Sequence, residues 1–114
     1  MSGILYKDRN FTDPIEFGGA LPARAQGIYA ILVADNAWWP QPFRVLYFGE
    51  SDNLAKCVTE KNEMYPQWLL QAAGAPLLVS IHTTPRMKAQ KRKEIESELV
   101  GEFQPVCNQQ LVGA

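Results

Sequence analysis

Two apolar runs separated by a short, proline-containing segment place the strongest constraint on what this chain can fold into. Residues 27–34 (GIYAILVA) and 43–49 (FRVLYFG) are rich in β-branched and aromatic side chains and have the length of strands. The segment between them contains Asp35, Pro40 and Pro42, which break any regular pattern. Because the connection is short, we expect the two strands to pair antiparallel, and the rest of the chain must pack against this pair.

The remaining periodicities predict three helices and one more strand. Good N-cap residues at positions 51–53 predict a helix over 54–62, and Gly74 ends a second helix over 65–73. A third strand is predicted over 75–82 and a long last helix over 85–103. The sequence therefore predicts an α/β fold, a small sandwich with a three-stranded, largely antiparallel sheet flanked by helices in the order strand, strand, helix, helix, strand, helix.

Length and composition predict one domain. The chain has 114 residues, 46% of them hydrophobic, which is enough to bury a core without disulfide or metal cross-links. Residues 1–26 are rich in turn signals and are interpreted as an irregular N-terminal arm with at most a short strand. The domain is assigned to residues 27–108 and a C-terminal tail to 109–114.

Several classes of protein are excluded by what the sequence contains. No apolar run reaches the roughly 20 residues that span a bilayer, so no membrane partner is expected. The first residues lack the charged and apolar regions of a secretory signal, and a cytoplasmic location is predicted. Two distant cysteines, Cys57 and Cys107, and the single histidine His82 leave too few ligands for the usual zinc clusters. Both thiols are expected to be reduced.

Charge is balanced overall but unevenly distributed. The formal net charge of −1 predicts only weak affinity for DNA, because phosphate binding depends on clustered Lys and Arg. Five of the eleven basic residues nevertheless lie within eight positions and form a candidate nucleic-acid-binding patch: Arg86, Lys88, Lys91, Arg92 and Lys93. An acidic stretch follows directly. The alternative interpretation is the solvated face of a long helix.

Three blocks in the sequence together resemble the signature of the GIY-YIG nucleases. Residues 27–29 (GIY) and 47–49 (YFG) lie on the two predicted strands, and 47–54 (YFGESDNL) is similar to the family pattern YIG-x-S-x-N-L. Residues 96–100 (ESELV) resemble the later Glu-x-x-Leu-Ile block, and Pro105 and Asn108 resemble the Pro-x-x-Asn that follows it. The resemblance covers residues 27–108.

The resemblance implies single-metal hydrolysis of a phosphodiester. In this interpretation Tyr29 acts as the general base near the attacking water, and Tyr47 supports the water or the phosphate. Glu96 holds one Mg²⁺ or Mn²⁺, for which a carboxylate is a suitable ligand. The positions that the family uses for structure are Gly27, Gly49 and Asn108. The alternative is a purely structural interpretation, in which the two tyrosines are ordinary core residues and Glu96 is a solvated surface glutamate.

Two positions on the helix after the second strand depart from the family pattern. The arginine that stabilises the transferring phosphate falls on Cys57, and the position of a frequent histidine falls on Lys61. By analogy with arginine fingers, losing such a cation costs on the order of 10³ to 10⁵ in rate. Two replacements are considered: Lys61, one turn beyond Cys57, and Arg92, one turn before Glu96. Arg92 is alternatively paired with Glu96 on the surface.

Three functions are therefore considered. The first is a GIY-YIG-like domain with a degenerate site that serves as a nucleic-acid-associated binding or regulatory module. The second is an active Mg²⁺- or Mn²⁺-dependent endonuclease in which Lys61 or Arg92 supplies the cation. The third is a protein-interaction module that uses Trp38 and Trp39, two adjacent tryptophans in the loop between the first two strands.

Overall fold

The computed structural model describes residues 3–35, 37 and 42–108, and within them the chain forms six strands and three principal helices. In chain order these elements are β1 (Ile4–Tyr6), β2 (Arg9–Phe11), β3 (Ile15–Glu16), β4 (Gly27–Ala34), β5 (Phe43–Ser51), α1 (Leu54–Cys57), α2 (Tyr65–Ala72), β6 (Leu78–Thr83) and α3 (Ala89–Phe103). From β4 onward, the predicted order of two strands, two helices, a strand and a helix is confirmed.

The main sheet is antiparallel throughout, with the strand order β3-β6-β4-β5. The predicted antiparallel pairing of β4 with β5 is confirmed. The prediction of three strands is wrong, because β3 adds a fourth strand by pairing Ile15 with Val79 of β6. The N-terminal arm contains three short strands instead of at most one. A two-residue strand has no readable periodicity of its own and depends on a partner far away in sequence.

The central strand β4 separates two parts of the core. Its odd-numbered residues Tyr29 and Ile31 pack with Trp68 of α2, while its even-numbered residues Ile28 and Ala30 pack on the side of α3 and the β1–β2 hairpin. This alternation follows from the two-residue repeat of a strand. Because both faces of β4 are covered, its sequence is almost continuously apolar.

A register shift in the pairing of β4 with β5, between Ile31 and Leu32, turns the side chain of Tyr47 toward the face of the sheet that α1 and α2 cover. Ile31 pairs with Tyr47 but Leu32 pairs with Val45, so that Leu46 is an extra residue on β5. As a result, Leu46 and Tyr47 both contact the same core cluster although they are consecutive. Bulges of this kind redirect side chains at sheet edges, and β5 is an edge strand.

Two helix boundaries differ from the prediction. Helix α1 ends at Cys57 and not at residue 62, because the side-chain amide of Asn62 donates a hydrogen bond to the Cys57 carbonyl at 2.9 Å. Helix α3 begins at Ala89, four residues later than predicted, because Thr84–Met87 forms a tight turn. No helix in the described part of the chain is long and apolar enough to span a bilayer.

Candidate functional site

Tyr29 and Tyr47 lie side by side on the α1–α2 face of the sheet, with ring centroids 5.9 Å apart. Tyr29 is directly opposite Gly49 in the β4–β5 register, and its ring crosses the space above that glycine. A Cβ atom on Gly49 would lie within 2.6 Å of Cζ, Oη and Cε1 of Tyr29. The glycine is therefore required for this position of the tyrosine ring.

Gly27 allows the start of β4 to approach β6 closely. A Cβ atom at this position would lie 2.9 Å from Cα of Thr83 and closer still to the carbonyl oxygen of His82. His82 itself donates a hydrogen bond from Nδ1–H to the carbonyl of Asn10 at 2.9 Å and packs near Phe11. These contacts support the structural interpretation of His82.

The two tyrosines line a cleft of about 360 Å³ that opens between β4, β5 and the segment after α1. Cys57 lies in this cleft, with its Sγ atom 3.7 Å from Tyr29 Oη. Asn62 donates from Nδ2 to Tyr29 Oη at 3.4 Å. The full lining, here called the tyrosine cleft, consists of Tyr29, Tyr47, Lys56, Cys57, Thr59, Lys61, Asn62, Glu63 and Met64.

Cys57 thus stands beside the hydroxyl group to which the resemblance assigns the catalytic role. Both cysteines are free thiols, as expected. Cys57 is half-buried, and Asn62 Nδ2 lies 3.5 Å from its sulfur. A thiol in this place fills space and accepts a weak hydrogen bond, but it supplies no positive charge to a phosphate.

Both phenols are protonated near neutral pH, as an ordinary tyrosine is, and burial raises their pKa values further. Burial is the main cause that raises the pKa of Tyr29, and the neighbouring Tyr47 and Cys57 raise it further. Burial also raises the pKa of Tyr47 to about 12, with the charge of Glu96 as the second cause and a hydrogen bond with Tyr29 acting in the opposite direction. A neutral phenol can orient a water molecule, but it is a weak base without a nearby cation to lower its pKa.

Glu96 reaches the same region from the other side of the edge strand. Burial raises the pKa of its carboxyl group to about 6, and the nearby carboxylate of Glu50 adds to the increase. The backbone N–H of Glu50 donates a hydrogen bond to this carboxyl group and lowers the pKa, as does the charge of Lys93. The charge of Glu96 also acts on Tyr47, although Glu96 does not itself line the tyrosine cleft.

Among the described residues, Glu96 has one carboxylate near it, that of Glu50, and belongs to no larger cluster of possible metal ligands. The described residues contain no group of three or more His, Cys, Asp or Glu side chains that could hold an ion. Mg²⁺ keeps most of its waters and is often held by one or two carboxylates, so a single glutamate fits such an ion. The second nearby carboxylate, Glu50, is bound to an arginine.

That arginine is Arg92, and its position corrects two interpretations. Arg92 does not form a surface pair with Glu96; its Nε donates to Glu50 Oε1 at 3.0 Å, and Nη1 donates to the Met87 carbonyl at 2.7 Å. It is 5% exposed and does not belong to a surface patch. The sequence carries no signal for this ion pair, because the partner lies on a strand 42 positions earlier.

The other members of the basic patch are at the surface. Arg86, Lys88 and Lys93 are exposed, and Lys91 is paired with Glu94 at 3.5 Å. Exposed pairs of this kind contribute little and leave the lysine accessible. The predicted patch therefore retains four surface cations.

Asn108 binds the backbone of the edge strand. Its Oδ1 accepts from the Phe48 N–H at 2.9 Å, and its Nδ2 donates to the Phe48 carbonyl at 2.9 Å. The Glu96 carboxyl group accepts from the N–H of Glu50 on the same strand. Asn108 and Glu96 therefore provide hydrogen-bond partners for backbone groups of Phe48 and Glu50 at the open edge of β5. This supports the structural interpretation of Asn108 and gives Glu96 a structural contact as well.

Three sequence-predicted residues, Tyr29, Tyr47 and Lys61, line one cleft, and Glu96 lies close to Tyr47. Asn62 and Glu50 are partners that sequence reasoning missed, although Glu50 directly follows the YFG block. Trp38 and Trp39 lie outside the described residues. The chain matches no protein-family model, no curated protein and no solved structure.

Proposed function

We propose that this chain is a GIY-YIG-like domain with a degenerate nuclease site, acting as a nucleic-acid-associated binding or regulatory module with slow or no cleavage. The observation that carries the proposal is the thiol of Cys57 beside Tyr29 Oη, where the family resemblance calls for a guanidinium. The surrounding cleft keeps the two tyrosines side by side, which is the arrangement that the resemblance implies.

Slow cleavage follows from the charge that phosphodiester hydrolysis develops. The transition state gains negative charge, which a fixed cation stabilises more than the ground state. Arg92 is bound by Glu50 and by the Met87 carbonyl, so its guanidinium is not free to take this role. Burial raises the pKa of Tyr29 and Tyr47 above that of an ordinary phenol, which makes a phenolate that could activate water still less accessible.

Weak binding of nucleic acid is consistent with the cations that remain. Lys56 and Lys61 line the tyrosine cleft, and both are exposed. Lys88 and Lys93 add surface charge on the last helix. Because the net charge is −1, we expect affinity that falls steeply as salt is added and shows little dependence on base sequence.

A cleavage assay with supercoiled plasmid and Mn²⁺ tests the proposal. The unmodified chain should show no nicking above background, whereas Cys57→Arg should acquire metal-dependent nicking. Cys57→Ser serves as the matched control, because it changes the thiol without adding charge. Glu96→Gln in the Cys57→Arg background should abolish nicking while keeping an acceptor oxygen for the Glu50 N–H. Metal-dependent cleavage by the unmodified chain that Glu96→Gln removes would overturn the proposal.

An active endonuclease is the second candidate, and the position of Lys61 in the cleft favours it. A lysine lacks the planar fork of arginine, but it carries the same charge. This candidate predicts cleavage by the unmodified chain that Lys61→Gln removes and Cys57→Arg increases. Lys56→Gln, on the same cleft, controls for a general loss of positive charge.

A further inference from the structure

A second cavity, of about 320 Å³, lies where β6 ends and β4 begins. Two arginines line it, and no carboxylate does. It shares no lining residue with the tyrosine cleft. The lining residues are Arg24, Ala25, Gln26, Thr83, Pro85 and Arg86, and this site is here called the arginine pocket.

Each arginine occupies the third position of a tight turn. In one turn the Ala25 N–H bonds to the Pro22 carbonyl at 3.4 Å, and Arg24 has φ of +61°. In the other the Met87 N–H bonds to the Thr84 carbonyl at 3.1 Å, and Arg86 has φ of +65°. A positive φ at this position is the arrangement that favours glycine or asparagine, so an arginine there costs conformational free energy.

The two turns are fixed to one another by Gln26. Its carbonyl accepts from the Thr84 N–H at 2.8 Å, and its Nε2 donates to the carbonyls of Thr84 at 2.7 Å and Met87 at 2.9 Å. These three bonds connect the residues next to Arg24 with the turn that carries Arg86. The backbone on both sides of the pocket is therefore held in place before any ligand arrives.

Both guanidinium groups are available. Within residues 3–35, 37 and 42–108, neither Arg24 nor Arg86 makes a side-chain hydrogen bond or an ion pair. Other arginines of the same region do have partners: Arg9 pairs with Glu98, and Arg44 lies 3.6 Å from Asp35. Two unpaired cations that face one pocket repel each other unless an anion lies between them.

We infer that the arginine pocket is a phosphate-binding site, distinct from the tyrosine cleft. Arginine presents a planar fork of donors that matches the oxygens of a phosphate in a bidentate manner. Two such forks, with no competing carboxylate in the lining, select a compact oxyanion. The phosphate group belongs either to a nucleic-acid strand or to a small free phosphate, and the same contacts would bind both.

Titration of the full ¹⁵N-labelled chain, followed by NMR, tests the site directly. Inorganic phosphate is one probe, and a short single-stranded DNA at low salt is the other. We expect saturable shifts of the backbone amides of Ala25, Gln26 and Arg86. The double variant Arg24→Gln with Arg86→Gln should weaken this binding at least about tenfold, since it removes two charge-assisted contacts.

Lys7→Gln is the matched control. Lys7 is also exposed and also has a positive φ, +55°, in the β1–β2 turn, but it does not line the pocket. Its replacement by glutamine removes the same single positive charge as each arginine substitution. If Lys7→Gln weakens binding as much as a single arginine variant does, the effect is one of net charge and the inference is overturned. Because Arg24 and Arg86 are exposed, the variants should keep the wild-type melting temperature.

The two probes separate this inference from the proposed function. Shifts with phosphate but not with DNA support the pocket and count against nucleic-acid binding. Shifts with DNA alone that the arginine variants weaken support the pocket with a strand as the source. If phosphate shifts no residue of the pocket and DNA shifts only residues of the tyrosine cleft, the proposed function is supported and the pocket is overturned. The absence of shifts with both probes overturns the pocket as well.

Discussion

Replacing Gly49 with alanine tests the geometry on which the tyrosine cleft depends. The new methyl group would lie within 2.6 Å of three atoms of Tyr29, about 1 Å inside normal contact. The ring cannot move away easily, because Tyr29 is 3% exposed and packs edge-on against Trp68, which is fully buried. Either the ring or the β4–β5 pairing must therefore shift.

The expected cost is about 3 kcal/mol in the free energy of unfolding. Overpacking a well-filled core by a methylene costs typically about 1–3 kcal/mol. The upper end applies here because three atoms are overlapped and the neighbouring ring is held on its other side by Trp68. The change is to be measured by urea unfolding monitored through tryptophan fluorescence and far-ultraviolet circular dichroism.

Gly101→Ala is the matched control for Gly49→Ala. Gly101 lies within helix α3, and a Cβ atom there would have no neighbour within 4 Å. The same chemical change should therefore stabilise the chain by about 0.5–1 kcal/mol through helix propensity. If Gly49→Ala lowers the free energy of unfolding and Gly101→Ala raises it, the loss at Gly49 is due to the steric clash and not to the replacement of glycine as such.

A double-mutant cycle with Tyr29→Val identifies the clashing group. Without the ring, Gly49→Ala should cost less than about 1 kcal/mol, which gives a coupling energy of about 2 kcal/mol. If Gly49→Ala costs the same in both backgrounds, or less than about 0.5 kcal/mol in the unmodified chain, the tyrosine ring does not lie over Gly49 and the description of the cleft is wrong.

Three further predictions concern the residues around the edge strand. Arg92→Met should cost about 3 kcal/mol in urea unfolding, because it leaves Glu50 without its buried partner, and adding Glu50→Met should recover most of the loss. Asn108→Ala should cost about 2 kcal/mol by the same assay, because it removes both hydrogen bonds to Phe48. Burial raises the pKa of Glu96 from 4.5 to about 6, so the folded chain binds this proton more tightly than the unfolded chain. The contribution of the Glu96 carboxyl group is therefore complete below about pH 4.5 and is lost as the pH rises through about 6; Glu96→Gln should remove this part of the pH dependence of stability, and an unchanged profile would contradict it.

The strands that the sequence predicts best are those whose pattern is decided locally. Residues 27–34 form a strand with the predicted bounds, because an unbroken β-branched and apolar run has few alternatives. The helix predicted over 54–62 ends early because Asn62 bonds to the Cys57 carbonyl and so competes with the helical pattern. Asparagine has the same local propensity whether or not it makes such a bond, and sequence alone therefore places the end too late.

In the candidate site as well, sequence blocks predicted some contacts, whereas contacts with residues far away in sequence could not be predicted. The cleft formed by Tyr29 and Tyr47 could be predicted, because two matched blocks on paired strands bring the residues together. The partner of Arg92 could not, since nothing near position 92 indicates an ion pair with Glu50 on another element. The arginine pocket also escaped prediction, because Arg24 and Arg86 are brought together by the pairing of Gly27 with Thr83 and by the bonds of Gln26, which join segments far apart in sequence.

The structure also distinguishes positions with several contacts in the fold from position 57, whose side chain makes fewer. Glu96 binds the backbone of the edge strand, Asn108 does the same, and Gly49 makes room for a buried ring. Each would be needed in a domain that never cleaves a phosphodiester, so none of them discriminates between a nuclease and a binding module. Position 57 is different, because its half-buried side chain makes only weak polar contacts, to Tyr29 and Asn62, and the bond that ends the helix uses its backbone carbonyl. A substitution at Cys57 can therefore change the charge of the cleft with little effect on the fold, which makes it the position at which a measured activity reports on chemistry and not on stability.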